Sequence, residues 1–97
     1  MADIRWTVEA ERWLRDIYDY IAQDSPVSAE RVVTEMYDKA QTLALFPRMG
    51  HVYDPHKDDE VRILLYGHYR IAYLVNPDEA IDILGVFHGA LDIERYL

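Results

Sequence analysis

Two arginines and a histidine carry most of the chemistry this sequence could perform. Arg62 and Arg70 fall inside strand-like runs, and His88 closes a third such run. A guanidinium is permanently charged and presents its donors in a rigid fork, so either arginine could steady a developing anion or grip a partner's carboxylate. An imidazole can act as a general base near neutral pH. Plainer roles stand beside these. Arg70 could pair with Asp82 on a neighbouring strand, and a histidine at a strand end commonly satisfies a backbone group. Tyr66, Tyr69 and Tyr73 suit a partner surface, yet tyrosine is also an ordinary sheet residue. His51, Asp54, His56 and Asp58 could be read as metal ligands. Their spacing fits no closed metal site, so no metal and no other cofactor is expected.

The whole-chain composition narrows the choice. Ninety-seven residues make one domain, spanning 1–97, with a single modest core. The chain is 51% hydrophobic and 29% charged, the balance of a folded domain. It has no cysteine, which excludes disulfides and thiolate metal sites and allows a reducing compartment. Met1 to Trp6 lacks the apolar run of a signal peptide, and no stretch approaches the roughly 18 apolar residues of a membrane span. The expected location is the cytoplasm, with no membrane partner. Ten basic residues against eighteen acidic ones give a net charge of −8. Such a field repels phosphate backbones, which weighs against nucleic acid as the main partner.

The elements that must position these residues follow from periodicity. Ile4 to Thr7 reads as a short strand, and Thr7 can then cap a helix over Val8 to Ala22. Ala10, Trp13, Leu14, Ile17, Tyr20 and Ile21 form its apolar stripe. Asp24-Ser25-Pro26 breaks the helix and starts another. That second helix carries Ala29, Val32, Val33, Met36, Tyr37, Ala40 and Leu43 on one face and ends at Phe46-Pro47. Trp6 and Trp13 read as packing residues. Arg48 to Glu60 reads as a loop. Val61 to Leu65, Tyr69 to Val75 and Ala80 to Phe87 then read as a three-stranded antiparallel meander, turned at Gly67-His68 and at Asn76-Pro77-Asp78-Glu79. The class is α+β. The helix hairpin should cover one sheet face, leaving the other half open with tyrosines on it.

The order of strand, helix hairpin, loop and meander resembles the RelE/ParE toxin superfamily, and so do particular residues. Trp6-Thr7 opens straight into the first helix. The second ends in Leu43-Ala44-Leu45-Phe46-Pro47-Arg48-Met49-Gly50. Val61-Arg62, then Gly67-His68-Tyr69-Arg70-Ile71-Ala72-Tyr73, then Ile83-Leu84-Gly85-Val86-Phe87-His88-Gly89 complete the likeness, which spans nearly the whole chain. It implies a toxin of a type II toxin–antitoxin module, held in a hetero-oligomer by a cognate antitoxin that lies across the helix hairpin and the sheet. Trp13, Ile17, Val33 and Tyr37 would divide between core and groove. Arg62 and Arg70, with Tyr73, would anchor the antitoxin.

Two activities exist within that superfamily. RelE-like members cleave mRNA on the ribosome with a basic cluster and a histidine or tyrosine. ParE-like members lack the cluster and poison DNA gyrase. Cleavage needs a base, cations for the phosphorane and an acid for the leaving oxygen. Here Arg62, Arg70 and His88 would have to supply it, with Tyr96 nearby in sequence. RelE-like sequences carry a further arginine after the last strand, where this chain reads His88-Gly89-Ala90-Leu91. The tail, with Asp92 four residues after His88, resembles ParE-like tails. The resemblance therefore implies a ParE-like toxin that inhibits DNA gyrase and is not an enzyme, with ribosome-dependent mRNA endonuclease as the alternative.

Overall fold

The computed structural model describes residues 2–89 and residue 97. The chain runs as strand β1 (Ile4–Trp6), helix α1 (Val8–Ala22), helix α2 (Pro26–Gln41) and a 3-10 turn (Thr42–Ala44). Strands β2 (His51–Val52), β3 (Glu60–Tyr66), β4 (Tyr69–Val75) and β5 (Ile81–His88) follow. Each helix begins at a side-chain cap. The Thr7 hydroxyl accepts from the Ala10 amide at 3.1 Å, and Ser25 does the same for Ser28 at 3.2 Å, with Pro26 in the first helical turn. Each cap contributes about 1 kcal/mol by satisfying an amide that the helix leaves open.

The fold is two helices on one five-stranded sheet of order β1-β5-β4-β3-β2. The sheet is mixed, which the expected antiparallel meander did not include. β1 lies parallel to β5, with Ile4, Arg5 and Trp6 opposite Ile81, Asp82 and Ile83. Thr7 fixes this edge, since its amide and its hydroxyl both donate to the Ile83 carbonyl, at 3.2 and 2.8 Å. His51 and Val52, within the stretch read as a loop, pair with Ile63 and Arg62. The hairpin between β3 and β4 turns at Gly67, whose φ of +55° a side chain would disfavour.

Residues paired directly across strands share a face. Leu64 with Ile71, Ile71 with Val86, Tyr73 with Ile83 and Val75 with Ile81 make the face under the helices. They enclose the core with Leu14, Met36, Ala40 and Leu43. Tyr66, Tyr69 and Tyr73 belong to this face as well, so the tyrosines expected on the open side lie beneath and beside the helices. The strands are apolar on both sides, which is why alternation alone could not say which face the helices would take.

The second face has its own cover. Ile63, Ala72 and Phe87 are buried there against Trp13, Tyr53, Leu84 and Leu97. A register shift between Ala72 and Tyr73 gives β5 one extra residue, Leu84. Beside it, the Phe87 ring lies where a side chain at Gly85 would be, 2.5 Å from an added Cβ. Part of the expected opening is therefore closed. Leu65, next to Arg70 in register, remains 57% exposed.

Candidate functional site

Arg62 is consumed at one end of the sheet. Its Nε donates to Glu60 at 2.7 Å, and its Nη1 donates to the Gly50 carbonyl at 2.7 Å and the Arg48 carbonyl at 3.3 Å. Tyr73 completes the same joint. It is fully buried, its hydroxyl accepts from the Gly50 amide at 2.9 Å, and it donates to the Pro47 carbonyl at 2.8 Å. Burial raises the Tyr73 phenol above its ordinary range, which keeps the proton it donates. Arg48 in turn bonds Glu60 and Glu79. Hydrogen bonding from Arg62 leads the causes that hold the Glu60 carboxyl below its ordinary range. The segment Pro47 to Gly50 is thereby stitched onto β3 and β4. Of the residues expected to anchor an antitoxin, Arg62 is engaged within the chain through its Nε and Nη1, and Tyr73 has no exposed surface.

The three residues of the nuclease alternative do not converge. Arg70 pairs with Leu65 and Phe87, which puts it on the second face. His88 pairs with Tyr69 on the helix face, its ring edge-on to the Tyr69 ring at 5.7 Å. Arg62 sits opposite Tyr73. Tyr69 and Tyr73 lie four steps apart along β4, about 13 Å at the usual strand rise. The expected Arg70–Asp82 pair is absent too. Parallel pairing of β1 sets Arg5 opposite Asp82, and Arg5 Nε donates to Asp82 at 2.8 Å. Tyr96 and Asp92 lie outside the described residues.

The other residues expected to bind an antitoxin divide sharply. Tyr37 packs its ring 4.5 Å from Trp6 and donates to the Glu11 carboxylate at 2.8 Å. Burial, and then Glu11, push its phenol up to about 12. Val33 packs against the core and is partly buried. Trp13 and Ile17 behave differently. With Asp16, Tyr20, Tyr69, Val86 and His88 they line a cleft of about 410 Å³ between α1 and the ends of β4 and β5. Tyr20 is 74% exposed there. Sequence reasoning does not single out Asp16, Tyr20 and Val86 as binding residues. The signal for the first two lies in the helix stripe: Trp13, Asp16, Ile17 and Tyr20 recur at three- and four-residue steps.

The loop histidines do not form a centre. Asp54 accepts from the His56 amide at 2.9 Å and closes a local turn. Among the described residues no group of three or more His, Asp or Glu side chains is placed to hold a metal ion. No helix among them is long and apolar enough to cross a membrane.

Comparison with known proteins agrees with this architecture. The family model described as ParE toxin of type II toxin–antitoxin system, parDE, matches residues 4–93. Y4kP of Sinorhizobium fredii, assigned among the toxins, is 36% identical over 88 residues, covering 89% of this chain and 86% of that protein. Toxin RelE2 of Caulobacter vibrioides is 38% identical over 52 residues, or 54% of this chain and 59% of that protein. Among solved structures, the chromosomal ParDE system of P. aeruginosa superposes with a TM-score of 0.74 at 23% identity, covering 91% of this chain and 96% of that one. The RelBE2 toxin–antitoxin complex of Mycobacterium tuberculosis gives 0.64 at 22% identity, covering 90% and 96%. These two likenesses establish the fold.

Proposed function

The chain belongs to the ParE toxin family of type II toxin–antitoxin systems, and from that premise we propose that a cognate antitoxin neutralises it by filling the cleft between α1 and the β4–β5 end. One observation carries this reading. Trp13, Ile17, Tyr20 and Val86 line an open cleft on the helix face, whereas at the other end of that face Tyr73 is buried and Arg62 is bonded to Glu60 and to the Gly50 carbonyl. The expected complex is a hetero-oligomer in the cytoplasm.

We further propose that the unrestrained toxin acts on DNA gyrase and leaves mRNA intact. Family membership supports the target. The dispersal of Arg62, Arg70 and His88 supports the exclusion, because phosphoryl chemistry needs its charges aimed at one atom. The test is induction without antitoxin, with supercoiling and translation measured separately. Supercoiling should fall while translation continues. Cleaved transcripts, abolished by Arg70→Ala, would instead establish the ribosome-dependent endonuclease. For the cleft, Ile17→Arg should abolish capture of the antitoxin while circular dichroism stays unchanged. Retained capture would refute the docking site.

A further inference from the structure

The cleft on the helix face has a neighbour across α1. A second cleft, of about 440 Å³, lies on the other side of the sheet and is lined by Thr7, Glu9, Trp13, Lys57, Asp59, Val61, Leu74, Leu84, Phe87 and Leu97. Val61 pairs with Leu74, and Phe87 with Arg70, which fixes this cleft on the second face. Trp13 lines both clefts, and its ring meets Phe87 edge-on at 4.8 Å. β1 pairs with β5 only at Ile81, Asp82 and Ile83. Beyond them α1 lies against β5, and Trp13 stands between the two clefts as a wall of each.

Apolar side chains line both clefts, Ile17 and Val86 in the first, Leu84 and Leu74 in the second, and Trp13 in each. The charges along this lining are not balanced. Its carboxylates are Glu9, Asp16 and Asp59, and among the described residues none of the three forms an ion pair. Its lysine, Lys57, donates to the Leu97 carbonyl at 3.0 Å and stands 5.5 Å over the Tyr53 ring. His88 is the remaining titratable side chain with basic character. The whole chain carries −8.

We propose that the two clefts form one track, and that its occupant is a basic antitoxin segment: apolar anchors seated on either side of Trp13, with lysines or arginines facing Glu9, Asp16 and Asp59. This rests on the proposed docking cleft and adds the chemistry of what fills it. Cationic side chains there would complement these exposed carboxylates and steer the segment onto the apolar lining. A second copy of this acidic chain would bring like charge to the same place.

The test requires only the folded chain and a peptide library. A phage-displayed library of random 16-residue peptides is panned against the chain, and binders are retested on Ile17→Arg and on the triple variant Glu9→Lys, Asp16→Lys, Asp59→Lys. Circular dichroism confirms that both variants fold. The expected binders depend on Ile17, are enriched in lysine and arginine, and lose at least tenfold in affinity on the triple variant. Binders that depend on Ile17 but are neutral or acidic, and indifferent to charge reversal, would overturn the basic occupant and leave the docking cleft standing. Binders that ignore Ile17 would overturn both. Concentration-dependent dimerisation of the chain alone, abolished by Ile17→Arg, would assign the track to a second copy and overturn the proposal.

Discussion

The two ends of the helix-covered face are built from the same residue types and put to opposite uses. At the Gly50 end, Tyr73 and Arg62 are turned inward: the Tyr73 hydroxyl and the Arg62 Nε and Nη1 meet backbone or Glu60. At the His88 end, Tyr69, Tyr20 and His88 border an open cleft. A buried hydroxyl or guanidinium must be satisfied within the protein, whereas an exposed one has water. The comparison teaches that arginine and tyrosine in a family-like pattern do not by themselves mark a site. What they touch decides whether they brace the fold or face a partner.

The strongest way to break the braced end is Gly50→Ala. An added Cβ would sit 2.6 Å from the Ile63 carbonyl oxygen and 2.8 Å from the Tyr73 hydroxyl. The first of these neighbours is sheet backbone and cannot step aside cheaply. Overpacking of this kind costs about 1–3 kcal/mol, and disturbing the Tyr73 hydrogen bonds adds to it. A loss of about 3 kcal/mol in urea-denaturation free energy is expected. An unchanged midpoint would show that Pro47 to Gly50 is not held against β3.

Tyr73→Phe is gentler, because the ring stays and only the hydroxyl goes. The Gly50 amide and the Pro47 carbonyl then lose a buried partner, which costs about 1–3 kcal/mol. Thermal unfolding should occur several degrees lower, while panned or natural ligands of the cleft bind as before. Lowered affinity without lowered stability would mean that Tyr73 reaches a partner after all. The neighbouring Glu60 adds a dependence on acid. Its folded pKa is depressed, so its contribution is present above the unfolded carboxylate pKa and is lost as pH falls through the folded one.

Sequence reading reached some of this and was bound to miss the rest. The span of α1 was legible because its start depends on one local contact, Thr7 to Ala10. The parallel seat of β1 was not, since it depends on Ile83 being 76 residues from Thr7. That seat explains the wrong partner for Asp82, because Arg5 arrives from the far end of the chain. The two-residue β2 is too short to show a period. Arg62 looked like a free cation because its acceptors, Gly50 and Glu60, belong to a stretch that reads as loop. Trp13 and Ile17 were legible as helix-face residues; that they face a cleft while Tyr37 packs on Trp6 depends on how α1 lies across β5.

Tyr37 stands between the two regimes, since it packs like a core residue yet holds an exposed carboxylate. Its phenol is pushed up to about 12, against about 10 in an unfolded chain. A raised folded pKa means that its stabilising contribution is complete below about pH 10 and is lost as pH climbs from about 10 toward about 12. Urea denaturation between about pH 9 and about 11.5 should therefore show falling stability, with a shallower slope in Tyr37→Phe. The slope should not vanish, because Tyr66 and Tyr73 are raised as well. Identical slopes for both proteins would place Tyr37 in solvent, away from Glu11.

The smallest expected effect on stability is the sharpest on function. Tyr20 is among the largest side chains of the open end, and it is 74% exposed. Its removal leaves little cavity and no buried polar group, so Tyr20→Ala should change unfolding free energy by no more than about 0.5 kcal/mol. A tyrosine at the rim of an occupied cleft is a different matter. Truncating a contact residue of this type commonly costs more than about 1 kcal/mol of binding, or several-fold in affinity. At the Gly50 end the order is reversed: Tyr73→Phe should lower stability and leave binding alone. Measuring both quantities for both variants turns the comparison of the two ends into a crossed test. If Tyr20→Ala destabilised the chain as much as Tyr73→Phe, the cleft would be part of the brace, and the partner would have to bind elsewhere.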